Sequence, residues 1–155
     1  MQYYAKIVRS EGVYQVSFPD LPNVITYGET KEDALKNATE ALNGVLECDY
    51  EAGFALPEAK QGSGRGFHPV DVLPHVEFPY RLRKLRNDQS QTEIAKKLGI
   101  SYQVYQRLET PVKCNPTLKT VEKLSAVFGK RVELAFRNVI GAFSLGCNRC
   151  GATFS

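Results

Sequence analysis

Several absences narrow the function before any motif is read. No run of apolar residues approaches the roughly 18–20 that a membrane-crossing helix needs, and Met1–Ser10 is too polar for a secretory signal. A cytoplasmic address and no membrane partner are expected. Histidine occurs only at His68 and His75, both in a proline-flanked stretch. No acidic cluster has ligand spacing, and no serine or cysteine has a recognisable partner for nucleophilic catalysis. An enzyme is therefore not expected, and no cofactor is implied. Without a secretory signal, Cys48, Cys114, Cys147 and Cys150 do not read as a disulfide framework. Cys147-x-x-Cys150 alone has metal-like spacing, but it lacks the second pair of ligands that a tetrahedral zinc site requires. Two free thiols in a tail is the plainer reading.

What is present is an ordinary globular composition, 43% hydrophobic and 24% charged over 155 residues, enough for one domain or two small ones. The net charge of +3 conceals a division. Residues 1–62 hold five Lys/Arg against ten Asp/Glu, a balance of −5; residues 63–155 hold 15 against 7, a balance of +8. The basic half suits a phosphate backbone, whereas the acidic half is repelled by one and suits a basic partner.

Tyr3–Ser10 and Gly12–Phe18 alternate like two strands of a hairpin, with Tyr14, Val16 and Phe18 on one face. Pro19-Asp20-Leu21-Pro22 ends the second strand, and Val24–Tyr27 supplies a short third one. Thr30 is placed as an N-cap, followed by acidic residues in the first turn. Ala34, Leu35, Ala38, Ala41, Leu42, Val45 and Leu46 then form the apolar stripe of a helix running to about Tyr50. Residues 59–66 are glycine-rich loop chemistry, and Phe67–Leu73 reads as a last strand of a β-β-β-α-β unit. Pro74–Pro79 is expected to be an interdomain hinge.

From Tyr80 the pattern is helical. Tyr80–Arg86 is a first helix with Leu82 and Leu85 inward. Ser90-Gln91-Thr92-Glu93 is a capping box that opens helix 91–98. Gly99 makes a left-handed turn, and Ser101 caps helix 102–109, with Val104 and Leu108 facing the core. Asn115-Pro116 starts another helix, whose core face is Leu118, Val121, Leu124, Val127 and Phe128, closed by Gly129. Val132, Leu134 and Phe136 alternate like a terminal strand, and residues 138–155 read as a tail.

Two short helices around a glycine turn have helix-turn-helix geometry, in which the second helix enters the major groove. Ser90 to Ser101, with Val104, Leu108-Glu109 and the helix from Pro116 to Phe128-Gly129, closely resembles the Cro/phage-repressor (XRE) family; Thr110-Pro111 departs from its usual Asn/Gly-containing turn. Tyr102, Gln103, Gln106 and Arg107 lie on the outward arc of the second helix, where Gln suits adenine and Arg suits guanine. The resemblance implies that Tyr102, Gln103 and Arg107 read bases and that Gln91 meets a phosphate. Ser101 and Lys113 complete the candidate DNA-binding set, with Lys96, Lys97 and Lys119 available for backbone contacts. A merely solvated helix face is the alternative.

The first half, in Tyr14-Gln15-Val16-Ser17-Phe18-Pro19-Asp20-Leu21-Pro22, Tyr27-Gly28-Glu29-Thr30 and the helix beginning Glu32-Asp33-Ala34-Leu35, resembles the HicB antitoxin family over roughly residues 3–73. That resemblance implies a partial RNase-H-like fold that covers a basic, mRNA-cleaving HicA-like toxin. Asp20, Glu29, Glu32 and Asp33 become its candidate charged contacts, and Phe18 and Leu21 its apolar ones. The expectation is thus an α+β protein: a toxin-binding domain over 1–74, a linker over 75–79, and an all-α helix-turn-helix domain with a terminal strand over 80–137. It would act as an antitoxin and autorepressor, dimeric on a palindromic operator. The alternative is a stand-alone XRE-type repressor whose first domain senses a ligand or oligomerises.

Overall fold

The computed structural model describes residues 1–60, 62 and 64–135. Strands β1 (Gln2–Ser10), β2 (Val13–Phe18) and β3 (Leu21–Gly28) precede helix α1 (Lys31–Glu51), and β4 (Phe67–Asp71) follows it. Helices α2 (Pro74–Arg86), α3 (Gln91–Leu98) and α4 (Tyr102–Leu108), a 3-10 turn (Pro111–Lys113) and α5 (Leu118–Phe128) complete the order.

The four strands form one antiparallel sheet in the order β3-β2-β1-β4. Glu11 (φ 51) and Gly12 (φ 87) both adopt left-handed geometry between β1 and β2, the backbone that a tight hairpin demands. Prolines fall in β3 (Pro22) and β4 (Pro69), the two edge strands, where a missing donor disrupts no central ladder. The α1 stripe of Ala34, Ala38, Leu42 and Leu46 packs on one sheet face against Tyr3, Ala5, Val16, Phe18, Leu21, Val24 and Val70. Thr30 caps α1 as the sequence suggests, accepting from the Asp33 amide at 3.1 Å. Gly28 lets β3 and α1 meet, since a Cβ there would lie 2.2 Å from the Ala34 nitrogen.

The expected hinge is instead part of a helix. α2 starts at Pro74, a favourable first-turn position for proline, and continues through Pro79, which is buried. It is shared between two cores: Val76 belongs to the sheet's core and Leu82 to the helical one. Its entry is fixed by buried Asn43, which accepts from the Leu73 amide at 2.7 Å and donates to the Asp71 carbonyl. Its middle is held by Tyr50, whose hydroxyl donates to the Pro79 carbonyl at 3.2 Å while Arg83 lies over its ring at 3.8 Å. Burial of that ring pushes its phenol up to about 12.

Three further expectations are corrected. Leu85 and Leu118 are exposed, not inward. Thr117, not Asn115, caps α5, its hydroxyl accepting from the Thr120 amide at 3.2 Å. Residues 131–135 form no strand, and Val132 and Leu134 are exposed; Phe136 and the tail, with Cys147 and Cys150, lie outside the described residues. Among the described residues, no helix is long and apolar enough to cross a membrane.

Candidate nucleic-acid interface

α3 and α4 are fixed by their caps. The Ser90 hydroxyl accepts from the Glu93 amide at 3.1 Å, and the Glu93 carboxylate accepts from the Ser90 amide at 3.0 Å. This reciprocal box satisfies two donors that a helix start otherwise leaves open, and it draws the Glu93 carboxyl below its ordinary range. Gly99, at φ 68, turns the chain. Ser101 then caps α4, its Oγ accepting from the Val104 amide at 3.3 Å. Ile94, Ala95 and Leu98 of α3 meet Tyr105 and Leu108 of α4, Leu124 of α5 and Leu82 of α2 in one core.

A buried ionic centre holds these helices in register. Glu109 is only 3% exposed. It accepts from Arg86 Nε at 2.7 Å and Nη2 at 3.1 Å, from Gln91 Nε2 at 2.7 Å and from the Tyr105 hydroxyl at 2.9 Å. Burial opposes its ionisation, yet these donors, Arg86 foremost, hold the carboxyl below the usual range. Burial, with the adjacent carboxylate, pushes the Tyr105 phenol far upward. Three elements thus converge on the carboxylate of the residue that closes α4: the end of α2, the first residue of α3 and the interior of α4.

The opposite side of α4 faces solvent. Tyr102, Gln103, Gln106 and Arg107 are all exposed, so their side chains are free to meet base edges. Ser101 is exposed with its oxygen engaged as a cap, leaving its hydroxyl proton for a donor role. Gln91 is half-buried and gives one amide proton to Glu109, which ties the front of α3 to the ionic centre. Lys96, Lys97, Lys113 and Lys119 are exposed cations on the surrounding elements, with Lys97 donating to Gln89 Oε1 at 2.8 Å.

Within α4 the sequence pattern misplaces one residue. Val104, expected in the core, is 44% exposed, and Tyr105 takes the core position at 0%. Both stand at helical spacing from Leu108. The only signal separating them is Glu109 four residues after Tyr105, a carboxylate that satisfies a buried phenol.

On the acidic half, Glu29, Glu32 and Asp33 are exposed around the start of α1, beside a shallow groove lined by Val13, Tyr27 and Lys36. Asp20 is half-buried and accepts from the Lys60 amide at 3.0 Å. Phe18, at 1% exposure, and Leu21, at 7%, belong to the core beneath α1. They are not surface contacts, because the alternation that buries Val16 buries Phe18 as well.

Residues 2–71 match the model of the HicB-like antitoxin of bacterial toxin-antitoxin systems, and residues 81–134 match a helix-turn-helix family model. Antitoxin HicB 1 of Photorhabdus laumondii is 29% identical over 126 residues, covering 81% of this chain and 79% of its own. Antitoxin HicB of Escherichia coli K12 is 30% identical over 100 residues, covering 63% of this chain and 72% of its own. The crystal structure of the N-terminal domain of Burkholderia pseudomallei antitoxin HicB is 30% identical, covering 47% of this chain and 99% of that one at a TM-score of 0.43.

Proposed function

Because the chain belongs to the HicB antitoxin family and carries an XRE-type DNA-binding helix-turn-helix, we propose that it neutralises a HicA-like mRNA-cleaving toxin with residues 1–73 and represses its own operon with residues 81–134. It acts by binding, without catalysis. The DNA arm rests on one observation, the exposed arc of Tyr102, Gln103, Gln106 and Arg107 set on a helix whose opposite side is locked by Glu109. Side chains that read bases must be presented by a rigid element, and the ionic centre supplies that rigidity. Gln91, Ser101 and Lys113 contact the phosphate backbone around the arc.

The toxin arm rests on the acidic balance of residues 1–62 and on the exposed carboxylates of Glu29, Glu32 and Asp33, which complement a basic partner. Asp20 stands at the border of that surface. The protein works as a homodimer, since one recognition helix spans too few base pairs for useful specificity. The experiment is co-expression and pulldown with a small basic HicA-like toxin, sought first in the gene adjacent to this one, followed by a growth assay. Capture and rescued growth are expected. Failure of both removes the antitoxin reading and leaves a stand-alone repressor.

A further inference from the structure

The exposed valine on the recognition helix has no structural task. Val104 lies at the edge of the outward arc, one helical turn before Arg107, so the two side chains are neighbours on the helix surface. Tyr105 and Leu108 fill the core side without it. A β-branched residue also weakens a short helix, because it loses side-chain rotamer freedom against the preceding turn. In the seven residues of α4, that cost is not offset by burial. Every other exposed position of the arc carries a polar or hydrogen-bonding group. The surface therefore offers a row of donors and acceptors with one apolar methyl pair at its rim, next to the guanidinium.

The major groove has one apolar feature for such a group to meet, the C5-methyl of thymine. We propose that Val104 is a specificity-determining residue that packs on a thymine methyl adjacent to the base pair contacted by Arg107. The inference rests on the DNA-binding reading above but adds a base preference that the polar arc does not supply. Loss of Arg107 and loss of Val104 have different signatures. The arginine fixes a hydrogen-bonded base and contributes charge, whereas the valine responds to a single methyl group and leaves the salt dependence of binding unchanged.

The test uses the full chain and a duplex selected by that chain from a randomised DNA pool. Each thymine in the selected site is replaced singly with deoxyuridine, which removes the methyl and nothing else. The wild-type protein should lose roughly fivefold in affinity at one thymine per half-site, the value of one buried methyl-sized group. Val104→Ala should bind the unmodified site about fivefold more weakly and be indifferent to deoxyuridine at that same thymine. Val104→Ser, which keeps a side chain of similar reach but replaces methyls with a hydroxyl, should behave like the alanine variant. Circular dichroism should show both variants folded, because the side chain is outside the core. If deoxyuridine weakens the variants and the wild type equally at every position, or weakens neither, Val104 does not read a methyl and the proposal is overturned. If the wild-type chain selects no sequence at all, the DNA-binding reading itself has failed. Selective binding without methyl sensitivity separates the two cases.

Discussion

Removing the Arg86 guanidinium would leave the Glu109 carboxylate buried with only Gln91 and Tyr105 as donors. The side chains of this pair are 17% and 1% exposed, so the carboxylate depends on protein donors for its hydrogen bonds. Breaking such a pair from one side costs about 3–5 kcal/mol, a large share of the roughly 5–15 kcal/mol that holds an ordinary domain together. The sign of its pH dependence follows from the same contacts. In the wild type the Glu109 carboxyl is held below its unfolded value; its stabilisation is therefore present at neutral pH and is lost as pH falls through the folded pKa. In Arg86→Ala, burial is opposed only by the Gln91 and Tyr105 donors, so that carboxyl moves up from its wild-type position and its stabilisation at neutral pH shrinks. The gap between the two proteins should be widest near pH 7 and narrow toward about pH 4. Urea denaturation followed by circular dichroism at both pH values measures it. A gap below about 1 kcal/mol at pH 7, or one that does not narrow on acidification, would refute the assignment of Glu109 as a buried, ionised keystone.

Three other outcomes follow from the packing. Gly28→Ala should strongly destabilise the first domain, since the new Cβ would lie 2.2 Å from the Ala34 nitrogen; a melting temperature within a degree or so of wild type would show that β3 and α1 can part cheaply. Phe18→Ala should cost about 3–5 kcal/mol in a denaturant titration, and a variant of wild-type stability with weakened toxin capture would return Phe18 to the surface. Tyr50→Phe removes the hydroxyl that makes a second bond to the Pro79 carbonyl, which already lies within α2, and should cost about 0.5–1.5 kcal/mol; no change in stability would mean that the α1–α2 clamp is carried by the ring contacts with Arg83 and Tyr80.

The local grammar of the chain was legible from residues. Thr30, Ser90 and Ser101 are caps, Gly99 is a left-handed turn, and the periodicities of β2, α1 and α3 face the way their patterns dictate. The errors arise where two candidates share one spacing or where tertiary contact overrides a local rule. Val104 and Tyr105 both fit the step to Leu108, and only the folded position of Glu109 selects the tyrosine. Pro74–Pro79 reads as a break, yet proline suits the start of α2, and burial of Pro79 with the Tyr50 hydrogen bond to its carbonyl carries the helix onward. Leu85 and Leu118 are apolar at plausible spacing on short helices whose cores are already filled. The Arg86–Glu109–Gln91–Tyr105 centre spans separations from 4 to 23 residues, which no local pattern reports. Of the acidic half, Glu29, Glu32 and Asp33 are exposed and Asp20 is half-buried, whereas Phe18 and Leu21 lie in the core, because the strand alternation that buries Val16 extends to Phe18 in spite of the proline-flanked turn that follows it.

Two separable binding surfaces sharing one chain should respond independently to mutation of the recognition helix. Full-length Arg107→Ala and wild type are each co-expressed with a HicA-like toxin, and growth is compared with operator binding by gel shift. Both proteins should restore growth, while only the wild type should bind the operator with full specificity. A variant that loses growth rescue along with DNA binding, although folded, would contradict the division of labour between residues 1–73 and residues 81–134.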